Sequence, residues 1–161
     1  MVRISQASRW YKVVEAQTVP KSYVNNTRMR LPLPSGGTEP IGNRIMVLPQ
    51  DQARIELRDP HTGFIAYVPP GSIAKGKALV TSGGSGKTIS CGICHGDDLK
   101  GLGEVPALAG QNPLYIVRQL FNFQSGAHDG PSAALMKKVV TKLSESDMVE
   151  IAAYLTALNP Q

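Results

Sequence analysis

Five consecutive residues, Cys91-Gly92-Ile93-Cys94-His95, contain both cysteines of the chain and one of its three histidines. Two thiols separated by two residues can add to the two vinyl groups of one porphyrin, and the imidazole that follows then falls beneath the iron. Other chemistries also use paired cysteines. A dithiol redox centre expects a βαβ surround, whereas the flanks here read as a glycine loop and a helix. A structural zinc site needs two more ligands at short spacing, and there is no third cysteine. A disulfide across two residues is strained and rare. The cluster therefore predicts one covalent haem c, attached through Cys91 and Cys94 and ligated by His95.

Six-coordinate iron needs a second axial ligand, and several residues compete for that place. Met136 follows Pro131-Ser132-Ala133-Ala134-Leu135 in what reads as a loop before the last helix, from which it can swing over the opposite face, and it is the favoured candidate. His128 sits in the polar loop Gly126-Ala127-His128-Asp129-Gly130 and reads as solvated. Met148 falls on an apolar helix stripe, where methionine is more often core filler. Met46 and His61, upstream, are weaker alternatives, and an open iron site is a further one.

The elements that must position these groups differ between the two halves of the 161-residue chain. Eight of the twelve prolines lie in residues 1–70, which argues against long helices there. Short strands are expected at Arg44 to Leu48, Ala53 to Arg58 and Phe64 to Val68, the last two closing a β-hairpin around Asp59-Pro60-His61-Thr62-Gly63. Leu31 to Gly42 reads as an extended connector, and Pro69-Pro70-Gly71 as a boundary. Beyond it the pattern becomes helical. A first helix is expected to be capped by Ser72, with Ile73, Gly76, Leu79 and Val80 on one face, and to end at the glycines after Ser82. A second opens at Asn112-Pro113 and carries Leu114, Val117, Leu120 and Phe121 as its stripe up to Gly126. A third opens at Ser144 with Asp147 three residues on, and buries Met148, Ile151, Ala152, Leu155 and Leu158. Two domains follow: 1–70, a Pro-rich extension or connector, and 71–161, a helical unit whose long glycine-containing loops need something to wrap around.

Composition excludes several classes. With 42% apolar and 18% charged residues the chain is neither disordered nor a coiled coil. No run of 18 apolar residues occurs and residues 1–25 lack a hydrophobic centre, so neither a membrane span nor an export signal is expected in the chain as given. The net charge of +5 divides unevenly, with residues 1–70 carrying nine basic and five acidic groups and residues 71–161 eight and seven. No basic stripe is interleaved with aromatics, which sets nucleic acid aside. Thr81-Ser82-Gly83-Gly84-Ser85-Gly86-Lys87-Thr88 imitates a phosphate-binding loop but lacks its first glycine and a preceding buried strand. Asn25-Asn26-Thr27 fits a glycosylation sequon, a pattern common by chance.

Gly76-Lys77-Ala78-Leu79-Val80, Cys91-Gly92-Ile93-Cys94-His95-Gly96, Val105-Pro106-Ala107-Leu108-Ala109-Gly110-Gln111, Tyr115, Gln119-Leu120, Phe123, Gly126, Met136, Leu143-Ser144 and Ala152-Ala153-Tyr154-Leu155 together resemble a class I cytochrome c domain, as in the C-terminal haem domain of bacterial dihaem cytochromes c. The likeness covers roughly residues 71 to 161, and residues 9 to 70, notably Trp10 to Glu15 and Gly63 to Pro69, resemble the connector of such proteins. It implies an all-α cytochrome c fold around one covalent haem, preceded by an irregular extension with short β-strands. It also implies His95 and Met136 as axial ligands, Cys91 and Cys94 as thioether anchors, Tyr115 among the cofactor-binding residues, and Pro106 as acceptor for the ligand imidazole. Gly76 and Tyr154 match the close crossing of first and last helices. The chain departs from the dihaem pattern in having no upstream Cys-x-x-Cys-His.

A thioether ligand raises the potential and fills the iron's last position, so the expected role is electron transfer rather than catalysis. Electrons would pass between a periplasmic dehydrogenase, or another redox partner protein or haem-bearing chain, and the respiratory chain. Lys137, Lys138 and Lys142 near the haem edge could meet an acidic partner, or simply be solvated. The alternative is a haem enzyme or a gas or peroxide sensor in which Met136 is labile.

Overall fold

The computed structural model describes residues 11–160. Trp10, assigned above to the connector, and the last residue lie outside them. The first part contains β1 (Tyr11–Glu15), β2 (Thr18–Pro20), β3 (Ser22–Val24), β4 (Arg30–Pro32), β5 (Thr38–Pro40), β6 (Met46–Pro49), α1 (Gln52–Glu56) and β7 (Phe64–Val68). Four of these strands end on a proline, which has no amide to continue a ladder, and this keeps them three or four residues long. β7 is the centre of a three-stranded sheet, parallel to β1 (Tyr11 opposite Phe64) and antiparallel to β6 (Met46 opposite Tyr67). β2–β5 and β3–β4 form two small antiparallel pairs. Val19, Ile41, Met46 and Leu48 make a small core under Tyr67.

Three expectations for this half are corrected. Residues expected as the strand Ala53 to Arg58 form α1, because the Asp51 side chain caps the Arg54 amide at 3.0 Å and only Ile55 of the helix is buried, as one apolar residue in a single turn requires. β7 therefore pairs with β6 and β1 rather than closing a five-residue hairpin. The strand expected at Arg44 to Leu48 begins at Met46, and the supposed connector Leu31 to Gly42 holds β5 and part of β4.

The second part contains α2 (Ser72–Ser82), α3 (Gly92–His95), α4 (Pro113–Ser125), α5 (Ala133–Val140) and α6 (Glu145–Ala157). The capping box at Ser144 and Asp147 and the Asn112 cap with Pro113 in the first turn form as expected. Gly71, in the left-handed conformation, takes the cap position expected for Ser72. In place of a cap side chain, the Glu15 carboxylate accepts from the Ile73 amide at 2.8 Å, tying β1 to the start of α2. Leu79, Val80, Ile116, Leu120, Val140, Met148, Ile151 and Leu155 form the main core. The stripe of α4 is shifted from the expected one: Ile116 and Leu120 are buried, while Leu114 and Phe121 are about half exposed, because the helix faces α5 and α6 through its 113/116/120 line. α2 crosses α6 at Gly76, where a Cβ would strike the Glu150 carbonyl oxygen and come within 2.9 Å of Tyr154 Cβ. β1 and β7 pack on α6, so the two halves share that helix.

Candidate haem site

α3 is a single turn that opens at Cys91, whose carbonyl accepts from the amides of Cys94 at 3.4 Å and His95 at 3.0 Å. That turn brings both thiols and the imidazole to one short stretch of backbone. The following loop folds back on itself. The His95 carbonyl accepts from the Gly101 amide at 2.9 Å, Leu102 and Val105 exchange backbone hydrogen bonds, and Gly101 takes a positive φ of 91° where a Cβ would meet the Val105 carbonyl. The loop delivers the Pro106 carbonyl to His95, whose Nδ1 lies 2.7 Å away.

A carbonyl can only accept, so Nδ1 carries the proton and the lone pair of Nε2 is free to bind a metal. The bond also fixes the ring plane of a buried residue, 7% exposed. Burial pushes the Cys91 thiol up to about 11, with Cys94 nearby adding to the rise. A redox-active Cys-x-x-Cys works through a lowered value, so the shift runs against a thioredoxin-like role. Among the described residues no group of three or more His, Cys, Asp or Glu is placed to hold a metal ion.

Met136 stands on α5, and this corrects its expected place in a loop. Ala133, Ala134, Leu135, Met136 and the two lysines are good helix formers, and their summed preference extends helix through the segment. Met136 is half-buried against the same core that Cys91 packs on. The other candidates lie elsewhere. Met148 is 1% exposed inside the core, Met46 belongs to the core of the extension, and His61 is in an exposed turn with its Nδ1 3.2 Å from Asp59. His128 is exposed and lies against Phe123 in a tilted arrangement, ring centroids 4.7 Å apart. Tyr115, on the first turn of α4, is half exposed beneath the Arg118 guanidinium at 5.7 Å and is not part of the main core cluster. Lys137 pairs with Asp129 at 2.7 Å, holding that carboxyl below its usual value, while Lys138 and Lys142 are exposed.

The donor set suits haem. It offers an imidazole with one nitrogen committed and two free cysteines on one turn, with exposed apolar side chains close to them in sequence, Ile93 at 70% and Leu102 at 66%. Sequence reasoning missed α5. The alanines and lysines around Met136 carried the signal, but the preceding Pro131 and glycines drew attention to a loop.

A family description, cytochrome c, matches residues 73–159. Cytochrome c-554(548) of Halomonas halodenitrificans is 36% identical over 75 residues, 46% of this chain and 90% of that protein. A thiosulfate dehydrogenase electron acceptor of Stutzerimonas stutzeri is 35% identical over 88 residues, 53% of this chain and 39% of the relative. The solved cytochrome c4 of Acidithiobacillus ferrooxidans superposes with a TM-score of 0.50 and 34% identity, covering 54% of this chain and 49% of that one. The chain thus spans most of the short relative but less than half the length of the two longer ones. With more than half of its length inside the matched region, and with Cys91, Cys94 and His95 at the centre of it, the chain belongs to the cytochrome c family.

Proposed function

We propose that this chain is an electron carrier with one covalent haem, ligated by His95 and Met136 and anchored by Cys91 and Cys94, with Tyr115 among the residues that contact it. Residues 71–161 form the haem domain and residues 1–70 an extension that docks on it through β1, β7 and the Glu15 cap. The observation that carries the reading is the His95 Nδ1 to Pro106 carbonyl bond of 2.7 Å, which leaves Nε2 as a neutral, oriented, basic donor. Haem, when bound, supplies a one-electron couple whose potential a thioether ligand raises. The chain's own residues do the rest: the Pro106 carbonyl accepts from His95 Nδ1, the core beside Met136 supports α5, and the Cys-x-x-Cys turn fixes the attachment point.

The redox partners are other proteins or haem-bearing chains, such as a periplasmic dehydrogenase upstream and the respiratory chain downstream. The name of the Stutzerimonas relative, an electron acceptor of a dehydrogenase, supports that class of donor. Among the described residues no helix is long and apolar enough to cross a membrane, and a periplasmic location is proposed from the family, whose covalent haem is attached outside the cytoplasm. Intact mass of the native protein should show one haem, bound covalently. Met136→Ala should keep that mass, lower the midpoint potential and open the ferric iron to cyanide. An unchanged ferric spectrum in this variant would move the second ligand to another residue.

A further inference from the structure

The segment that imitates a phosphate-binding loop leaves α2 at Gly83, in the left-handed region with φ 76°, and returns when the Thr88 amide donates to the Gly83 carbonyl at 3.1 Å. Its last two residues then reach two different helices. Lys87 Nζ donates to both carboxylate oxygens of Asp147, at 2.7 and 3.0 Å, in the capping box of α6. Thr88 Oγ1 donates to the Val139 carbonyl at 2.8 Å. From the side of α4, Gln124 Nε2 donates to the carbonyls of Val140 at 2.8 Å and Leu143 at 2.7 Å.

Val139 and Val140 are the last two residues of α5, where carbonyls lack intrahelical donors; the Val140 carbonyl also accepts from the Leu143 amide at 3.0 Å, and Gln124 adds a second donor to it. The eight residues of α5 span about 12 Å at ~1.5 Å per residue, so fixing its C-terminal end fixes Met136 one turn back. Three residues beyond Thr88 is Cys91, whose amide is itself bonded to the Val80 carbonyl at 2.9 Å. One short strap therefore touches both the attachment turn and the helix of the proposed second ligand.

We propose that Thr88 and Gln124 are positioning residues for Met136, clamping α5 from two sides so that the thioether stays in place and its release from the iron is rare. The inference rests on the proposed ligation by Met136 and adds what controls it. Loss of either clamp removes hydrogen bonds to helix-end carbonyls and raises the population in which α5 is displaced.

The test uses the haem-loaded full chain. Thr88→Val should accelerate cyanide binding to the ferric protein about threefold to tenfold, the factor expected for one lost hydrogen bond, Gln124→Met, which loses two, should do so at least as strongly, and both should weaken the red absorption band of methionine-ligated ferric haem. Thr88→Ser should restore the wild-type rate. Lys87→Met breaks the strap's other bond, to α6, and should lower thermal stability with the cyanide rate unchanged. If Thr88→Val and Gln124→Met lose stability as Lys87→Met does, yet bind cyanide at the wild-type rate, the clamp is merely structural and the proposal fails. If Met136→Ala leaves the ferric spectrum unaltered, the ligand assignment fails first and the positioning role goes with it.

Discussion

The helical half and the strand-rich half of this chain are held together by different means. In residues 72–157 four helices share one core, and side-chain donors from a loop and from α4 reach carbonyls at the end of α5, as Thr88 and Gln124 do. In residues 11–68 the strands are cut short by prolines, and backbone pairing over a four-residue apolar cluster does most of the work. The lesson is that the helical half is tied together by side chains that reach helix-end carbonyls, whereas the strand-rich half is held by backbone ladders, β1 with β7 joining its two ends, and by one helix cap.

The largest effect should come from removing the attachment thiols. A Cys91→Ser, Cys94→Ser double variant should carry no covalent haem by intact mass and should lose much of its far-ultraviolet helical signal, because a domain of this size draws part of its apolar core from a bound group. A helical half that stays folded without haem would break the contrast with the extension.

Next comes packing. Gly76→Ala drives a methyl into the Glu150 carbonyl and should cost about 3 kcal/mol, the upper end for overpacking against backbone. Gly42→Ala, in the extension, meets nothing within 4 Å and should cost only the left-handed backbone penalty of about 1–2 kcal/mol. Urea unfolding of the two variants measures the difference, and equal losses would erase the distinction between tight helix crossing and open loop.

Asp147 gives a smaller effect with a pH signature. Burial pushes its carboxyl up, but the bonds from Lys87 and Ser144 outweigh this and the net value falls below the usual 3.8. A lowered folded value means that the carboxylate's contribution is complete above about pH 4 and is lost as pH falls through the folded pKa. Asp147→Asn should cost about 1–3 kcal/mol near neutral pH, and its gap from wild type should close in acid below the folded value. A gap that stays constant with pH would remove the ion pair from the account.

The smallest effect joins the halves. Glu15→Ala removes the acceptor at the start of α2 and should cost about 0.3–1 kcal/mol, seen most directly as faster hydrogen exchange at the Ile73 amide. Unchanged exchange there would leave the β1 contact with α6 as the tie between the halves.

Features written within a few adjacent residues were legible beforehand. Ser144 with Asp147, Asn112 with Pro113, and the glycine stop at Gly126 each form as read, because cap and capped amide lie within three residues. The segment 53–58 was misread as strand, since its apolar residues are too few to separate a period of two from one helical turn. The α4 stripe was misplaced because Leu114, Val117, Leu120 and Phe121 also fit a helical face, and only the neighbours of α4 choose between that face and Ile116 with Leu120.

The chemistry was readable from composition and order, because two thiols and an imidazole within five residues, with no further cysteine and no βαβ flank, leave one good reading. The sequence also determined the division of the chain into a proline-limited part and a helix-periodic part. Only packing brings Lys87 to Asp147, Thr88 to the Val139 carbonyl and Glu15 to the Ile73 amide, partners 60, 51 and 58 residues apart. Such contacts carry no local periodicity; they exist because packing of α2, α5 and α6 brings unsatisfied helix-end groups within reach of a side chain, and burying those groups unpaired would cost more than ordering the loop.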